Sequence, residues 1–482
     1  MKELLQSIGQ DFLGMFQKLI DSATGGKSHD YSASFGRESS FMSTSADGFS
    51  VTGNKQMTLE ESCTHLAVIS PSGGGKTTCN ILGTVLRQTR SSLLINDNSK
   101  EIRAKSSNYL RSVGYDVGFL DFDVEQFTTE TAFYNPLSRC NSKADIAKLV
   151  SILVKQSSSD NGNDKFWTIS ASEVISLAIE RVLCEPDPKA HHLASVYSLL
   201  QLMIAEEDRI TFDLAAHDDL FMRWNILLSN SSNTKASIFS SAIAALSWID
   251  TNPNLALLTS RDSISFSEMR KSTTAIFISV PLAYEEVYMP LVNCFYAQFF
   301  SSILESPLPK KKDLPILALL DEFGSSMHIP GYNKYASNMR KWHVSLLAIL
   351  QSEFQLDKYG KAEAKEILSS CSKIYFTGLD DEAERVSRLL GKYSYKDNKE
   401  QNRERLLMTP EEVRTMPKNR CIVVPNGGRK PIYAKLVPFY EQRTLVKRSQ
   451  IVSEDDDRVK VVTPEFNLIS ISELPKELRD EV

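Results

Sequence analysis

Residues 65–88 read HLAVISPSGGGKTTCNILGTVLRQ, and few folds accommodate such a run. HLAVIS is short and apolar, as a buried strand is, and TTCNILGTVLRQ puts Ile81, Leu82, Val85 and Leu86 on one helical face. The turn between them resembles G-x-x-x-x-G-K-[ST], whose main-chain N–H groups cradle phosphate at a helix N-terminus. Gly75, Lys76 and Thr77 satisfy the last three positions, while Ser70 stands where the first glycine belongs. Serine fits there if the main chain does not need a positive φ. We expect Ser72, Gly73, Gly74, Gly75, Lys76, Thr77 and Thr78 to hold ATP. Lys76 would reach the outer phosphates, and the Thr77 hydroxyl would serve Mg²⁺.

Further strands follow at SSLLIND (91–97) and YDVGFLDFD (115–123), with FYNPL (133–137) as a turn. Asp97 is expected at the C-terminal edge of the sheet, where ligands bind in open α/β folds. Far downstream, LPILALLDEFG ends an apolar strand in Asp321 and Glu322. One carboxylate, Asp321, suits the Mg²⁺ shell; the next, Glu322, suits activation of the attacking water, which favours hydrolysis. VSLLAIL (344–350) is one more strand and ends in Gln351, which can hydrogen-bond that water or the γ-phosphate or simply cap the turn. Just upstream, NMRKWH carries Arg340 and Lys341 on a mixed helix.

Between these α/β stretches, residues 141–255 carry helical periodicity almost throughout, so they read as an inserted all-α domain. Phe166 and Trp167 are expected to pack inside it, and the adjacent His191 and His192 lack a third ligand at metal spacing. The expected division is residues 1–60, an N-terminal amphipathic helix and a hairpin in SFMSTSADGFSVTG; 61–140 and 256–440, the two parts of a nucleotide-binding domain; and 441–482, a polar tail with EDDD at 454–457. A length of 482 residues supports more than one core. A formal net charge of −5 excludes a strongly basic body, though not a basic groove. The seven cysteines form no close pair, so neither a zinc cluster nor a disulfide framework is expected. No run approaches 18 apolar residues. The amphipathic stretch at residues 1–20 suits packing on the body, on a partner or on a membrane surface.

Together, HLAVISPSGGGKT, SLLINDNSKE, YNPL, FWTISASEVI, SEMRKSTTAIFISVPLA, LLDEFGSSMHIPGY, ILQSEFQLDKYG and LLMTPEEVRTMPKNRCIVV resemble, in order and spacing, the coupling-protein ATPases of bacterial conjugation and type IV secretion. The resemblance runs from about His65 to Tyr440. It implies an α/β fold, a RecA-like P-loop ATPase core with the all-α insertion, working as a homo-oligomeric ring, a hexamer when active. Its glutamine maps onto Gln351, and its arginine acting on a neighbouring subunit's nucleotide maps onto Arg340. The implied partners are secretion-channel or membrane-anchor proteins and relaxase or effector proteins, with single-stranded DNA as cargo. The implied location is the cytoplasm, peripheral at the inner membrane. Three departures stand out: Ser70 in the loop, DNSKE where D-P-K-G-E is usual, and no family-type transmembrane anchor. A soluble motor acting on duplex DNA and a catalytically weak scaffold are the alternative readings.

Overall fold

The computed structural model describes residues 32–155, 164–396, 400–452 and 459–473. The amphipathic stretch at 1–20 and the EDDD run lie outside them.

The apolar runs become the strands β1 (Leu66–Ile69), β2 (Ser92–Asn96), β3 (Asp116–Asp121), β4 (Thr274–Ser279), β5 (Ile316–Leu320), β6 (Val344–Leu350), β7 (Ser372–Phe376), β10 (Arg420–Val424) and β11 (Ile432–Lys435) of one sheet. Their order is β11-β10-β7-β1-β6-β5-β2-β4-β3. The strands from β7 to β3 run parallel, and β10 is antiparallel to both neighbours. β1, β2, β5 and β6 are buried along their whole length, which explains their continuous rather than alternating apolar pattern. One sheet face packs on the helix that follows the glycine-rich turn, the other on the insertion. Ile81, Leu82, Val85 and Leu86 are all fully buried, as their spacing predicts.

Order among the strands is what chain sequence alone does not give. β6 lies between β1 and β5, so the strand ending in Gln351 separates the glycine-rich turn from the carboxylate strand. The helix Leu282–Glu305 is, among the described residues, long and apolar enough to cross a membrane, yet most of it is buried in the core. Tyr296, Phe299, Phe300 and Ile303 pack there on one side of the sheet.

The helices from Lys143–Lys155 to Pro253–Leu258 fill the gap between β3 and β4. Trp224 is their largest fully buried side chain, and its indole N–H donates to Thr211 Oγ1 at 2.8 Å. Phe166 departs from expectation: it is 52% exposed, while Trp167 is half-buried against the core. Position 166 faces away because Ala171, Val174 and Ala178 occupy the inward face of its helix.

Two further expectations are corrected. The hairpin expected within residues 40–53 does not close on itself. Both Ser43 and Ser50 bridge to Gln56, and the chain reverses at Gly53, with φ 90°. Burial decides this, because Phe49, Val51 and Met57 go under the helix after the glycine-rich turn, and Asn80 donates to the carbonyls of Ser50 and Val51. Residues 41–57 therefore pack on the sheet body, against the helix after the glycine-rich turn. Between β7 and β10 lie the helix Ala383–Leu390 and a hairpin of β8 (Lys392–Lys396) and β9 (Asn402–Leu406). It is mostly exposed and polar, so no apolar period announces it.

The C-terminal stretch is not simply a solvated tail. It forms the helix Arg443–Ser449, and residues 459–473 return as a strap over the insertion. Ser195 Oγ accepts from Ile469 N–H at 3.2 Å, Asp213 from Ser472 N–H at 3.0 Å, and Arg209 and Arg181 donate to the carbonyls of Ile471 and Ser470. Ile469 and Ile471 are buried beneath it. His192 is an ordinary core residue, its ring on the Asn467 carbonyl and edge-on to Phe466.

His65, just before β1, is fully buried with φ 57°, and its Nδ1 accepts from Leu346 N–H at 3.1 Å. Burial lowers its pKa from 6.5 to about 4, so the folded chain holds it neutral. A depressed histidine pKa means the unfolded chain binds the proton first. The contribution is complete above about pH 6.5 and is lost as pH falls towards 4. The expected loss is about 3 kcal/mol. Melting curves across this window should show a shallower acid limb in His65→Asn, asparagine tolerating the left-handed backbone; an unchanged limb rejects the assignment.

Candidate nucleotide site

The glycine-rich turn leaves β1 at Ser70, whose N–H donates to the Leu350 carbonyl at 3.0 Å. Ser70 is not among the residues with positive φ, whereas Gly73 and Gly75 have φ 73° and 92°. The left-handed turns therefore fall on the inner glycines, and the missing first glycine costs nothing in backbone conformation. Ser70 instead fills space: a Cβ on Gly74 would come within 2.1 Å of its Oγ. Ser72 and Gly73 are exposed at the loop tip, with nothing within 4 Å of a Cβ placed on Gly73. The cradle opens outward.

Lys76 is 7% exposed, at the start of the helix. The first turn is wide: Leu82 N–H bonds to the Thr77 carbonyl, a π turn of the sort that recurs at functional sites. Thr78 Oγ1 donates back to the Gly75 carbonyl at 2.9 Å, which holds the loop and leaves the Thr77 hydroxyl facing the sheet. That hydroxyl donates to Asp321 Oδ2 at 3.2 Å, across the end of β6. Burial pushes the Asp321 carboxyl up to about 6, against the opposing pull of Lys76 and the Thr77 hydrogen bond, with Glu322 adding to the rise. A hydroxyl and a half-buried carboxylate thus meet beside a lysine.

Glu322 has φ 57°, a left-handed conformation costing about 1 kcal/mol or more for a residue with a Cβ. Its N–H donates to Asp321 Oδ1 at 3.1 Å, and Asn96 Nδ2 holds the Asp321 carbonyl at 2.9 Å. These bonds keep the strained corner in place. Gln351 is exposed at the end of β6, one residue past the carbonyl that binds Ser70. Its N–H is held by Gln355 Oε1 at 2.7 Å, and Lys358 Nζ ties the same turn to the Gly324 carbonyl at 2.9 Å. Lys76, Thr77, Asp321, Glu322 and Gln351 thus gather at one edge of the sheet.

Arg340 does not join them. It is exposed on the turn Met339–Trp342 at the start of β6, on the opposite edge, close enough to Cys63 and His65 to act on their pKa values. Asp97 does reach the loop edge but is 1% exposed, and its carboxylate accepts from Ile102 and Arg103 N–H at 3.2 and 2.7 Å. It caps the helix Glu101–Ser112 instead of facing a ligand.

A buried acidic cluster behind Gln351 escaped the sequence reading. Glu353, 5% exposed, accepts from Tyr375 at 2.6 Å and pairs with Arg385; Glu382 accepts from Ser352 Oγ and from Glu353 N–H at 3.0 Å. Burial raises the Glu353 pKa. The available signal was an acidic residue three positions beyond an apolar strand, too common a pattern to single out.

The profile of the family described as Type IV secretory system Conjugative DNA transfer matches residues 37–463. The chain is 20% identical over 412 residues to the type IV secretion system-coupling protein VirD4 of Bartonella henselae, covering 82% of this chain and 60% of that protein. It is 24% identical over 409 residues to the conjugal transfer protein TraG of Rhizobium radiobacter, covering 76% of this chain and 60% of that one. The chain thus spans 60% of the length of each of these relatives. Among solved structures, the plasmid coupling protein TrwB in complex with ADP and Mg²⁺ superposes with a TM-score of 0.62 at 18% identity, over 86% of this chain and 95% of that chain. That likeness shows the fold, a RecA-like core with an all-α domain, and the profile match shows that this chain belongs to the type IV secretory system conjugative DNA transfer family.

Proposed function

We propose that the chain is an ATP-hydrolysing coupling protein that delivers relaxase-bound single-stranded DNA, effector proteins or both to a conjugation or type IV secretion channel. The observation that carries this is the meeting of Thr77 and Asp321 at 3.2 Å beside Lys76, in a chain of this family. Ser72 to Thr78 offer N–H groups to the phosphates of ATP, and Lys76 contacts the outer ones. Thr77 and Asp321 fit Mg²⁺, a hard cation that takes hydroxyl and carboxylate oxygens and completes its shell with phosphate and water. The metal, when bound, neutralises charge on the phosphates. Glu322 takes the proton of the attacking water, and Gln351 orients that water. Arg340 completes the site of the next subunit in a homo-oligomeric ring, a hexamer when active. The nucleotide-binding body, residues 61–140 and 256–440, drives the motor, and the insertion, 141–255, receives cargo. Secretion-channel or anchor proteins hold the motor at the inner membrane from the cytoplasmic side.

Lys76→Ala should weaken ATP binding roughly tenfold to a hundredfold, the worth of one charge-assisted contact, without changing the fold. Calorimetric titration with ATP and a melting curve check both. In cells lacking the native gene, the wild-type chain should restore DNA or effector transfer and K76A should not. Equal transfer by both would reject a nucleotide-driven role.

A further inference from the structure

A second pocket lies at the far end of the helix that begins with the phosphate loop. It is a cavity of about 680 Å³ between the 44–56 loop and the helix Arg443–Ser449. Arg87, Arg90, Arg443 and Arg448 line it, against a single acidic residue, Asp47. Arg90 lies 4.0 Å from Asp47, and among the described residues no carboxylate pairs with the other three. Arg87 donates to the Gly83 carbonyl at 2.6 Å and to Gln442 Oε1, and Arg448 donates to the Leu86 carbonyl at 2.7 Å and lies over the Tyr109 ring, partners that carry no formal negative charge. Burial, with Arg448 close by, lowers the Arg87 pKa to about 10.

Gln56 lines the same cavity, is fully buried, and finds no partner for either atom of its side-chain amide. A buried amide without partners is costly in a folded chain and marks a place where something else completes the bonding. The residue is fixed by its main chain, which exchanges hydrogen bonds with Ser43, so the amide cannot withdraw into solvent without breaking the loop.

We propose that this cavity binds a phosphomonoester: a dianionic phosphate on a small polar body, the phosphate held by Arg87, Arg90, Arg443 and Arg448 and the body by Gln56. Planar guanidinium forks match phosphate oxygens in pairs, and an excess of three positive charges suits a dianion. The volume exceeds that of a bare phosphate ion, which leaves room for a glycerol- or sugar-sized body. The same chemistry belongs to a soluble metabolite and to a lipid headgroup.

The test uses the full chain saturated with ADP and Mg²⁺, so that the phosphate loop is already filled. One arm is calorimetric titration with glycerol 3-phosphate. The other is co-sedimentation with phosphatidylcholine vesicles doped with phosphatidic acid, with and without free glycerol 3-phosphate. The double variant R90A/R443A removes two exposed arginines to which no hydrogen bond is assigned, so its melting temperature should match the wild type. It should bind about tenfold more weakly or worse, and Q56L should bind more weakly than wild type. Binding of the free ester alone assigns a soluble ligand; vesicle binding that the free ester displaces assigns a headgroup; either supports the site. Binding to neither probe, vesicle binding that the ester does not displace, or undiminished binding by R90A/R443A overturns it.

Discussion

Arg340→Ala should leave ATP binding intact while lowering turnover by about 10³ to 10⁵, the range for an arginine supplied to a nucleotide site by a neighbour. Arg340 stands at the start of β6 and Gln351 just beyond its end. Some seven residues of extended strand separate them, about 20 Å, too far for a side chain to reach the phosphates of its own subunit. If the arginine acts, it acts on another copy. Two consequences follow. Activity should rise steeply with protein concentration, or with any scaffold that promotes ring formation. Mixing R340A with K76A should restore part of the activity, because one variant supplies an intact loop and the other an intact arginine. Phosphate release measured across mixing ratios reads this directly. No recovery at any ratio, with mixed rings confirmed by mass, would assign Arg340 a structural role.

Glu322→Gln should lower turnover by about 10² to 10⁴, the usual worth of a positioned general base, and should retain nucleotide. The glutamine keeps the length of the side chain and the left-handed backbone at this corner, so the change falls on proton acceptance. Asp321→Asn should behave differently. It removes the carboxylate that accepts from Thr77, so Mg²⁺-dependent nucleotide affinity should fall along with turnover. Titrating each variant with ATP, with and without Mg²⁺, and measuring single turnovers separates the roles. Loss of ATP binding in E322Q together with persistent hydrolysis in D321N would show that the two carboxylates are exchanged.

The buried acidic cluster behind Gln351 bears on both results. Glu353 and Glu382 sit on the turn and helix that follow β6 and β7, and Arg385 neutralises part of their charge. They tie the turn holding Gln351 to the helix Ala383–Leu390, which leads into the exposed β8–β9 hairpin. Gln351, which we propose to orient the attacking water, is thereby mechanically connected to that exposed hairpin.

Local order was legible because it is locally caused. The continuous apolar runs marked β1, β5 and β6; the glycines at 73 and 75 supplied the left-handed turn; and Ile81, Leu82, Val85 and Leu86 marked the face that the helix buries. The residues carrying the proposed chemistry at the loop edge, Lys76, Thr77, Asp321, Glu322 and Gln351, all stand at the ends of such segments, so their types and positions could be read directly. What no local pattern encodes is which segments meet. The placing of β6 between β1 and β5 is set by the packing of whole strands, and it decides that Thr77 reaches Asp321 while Arg340 falls on the opposite edge. Asp97 looked like a ligand residue until the helix after it claimed its oxygens. The 41–57 loop turns at Gly53, which lets Phe49 and Val51 be buried under the neighbouring helix. The strap at 459–473 takes its place through the burial of Ile469 and Ile471 and through hydrogen bonds to Ser195, Asp213, Arg181 and Arg209, partners some 260 to 290 residues away. Sequence determined the elements and their chemistry; burial and long-range hydrogen bonding decided their neighbours.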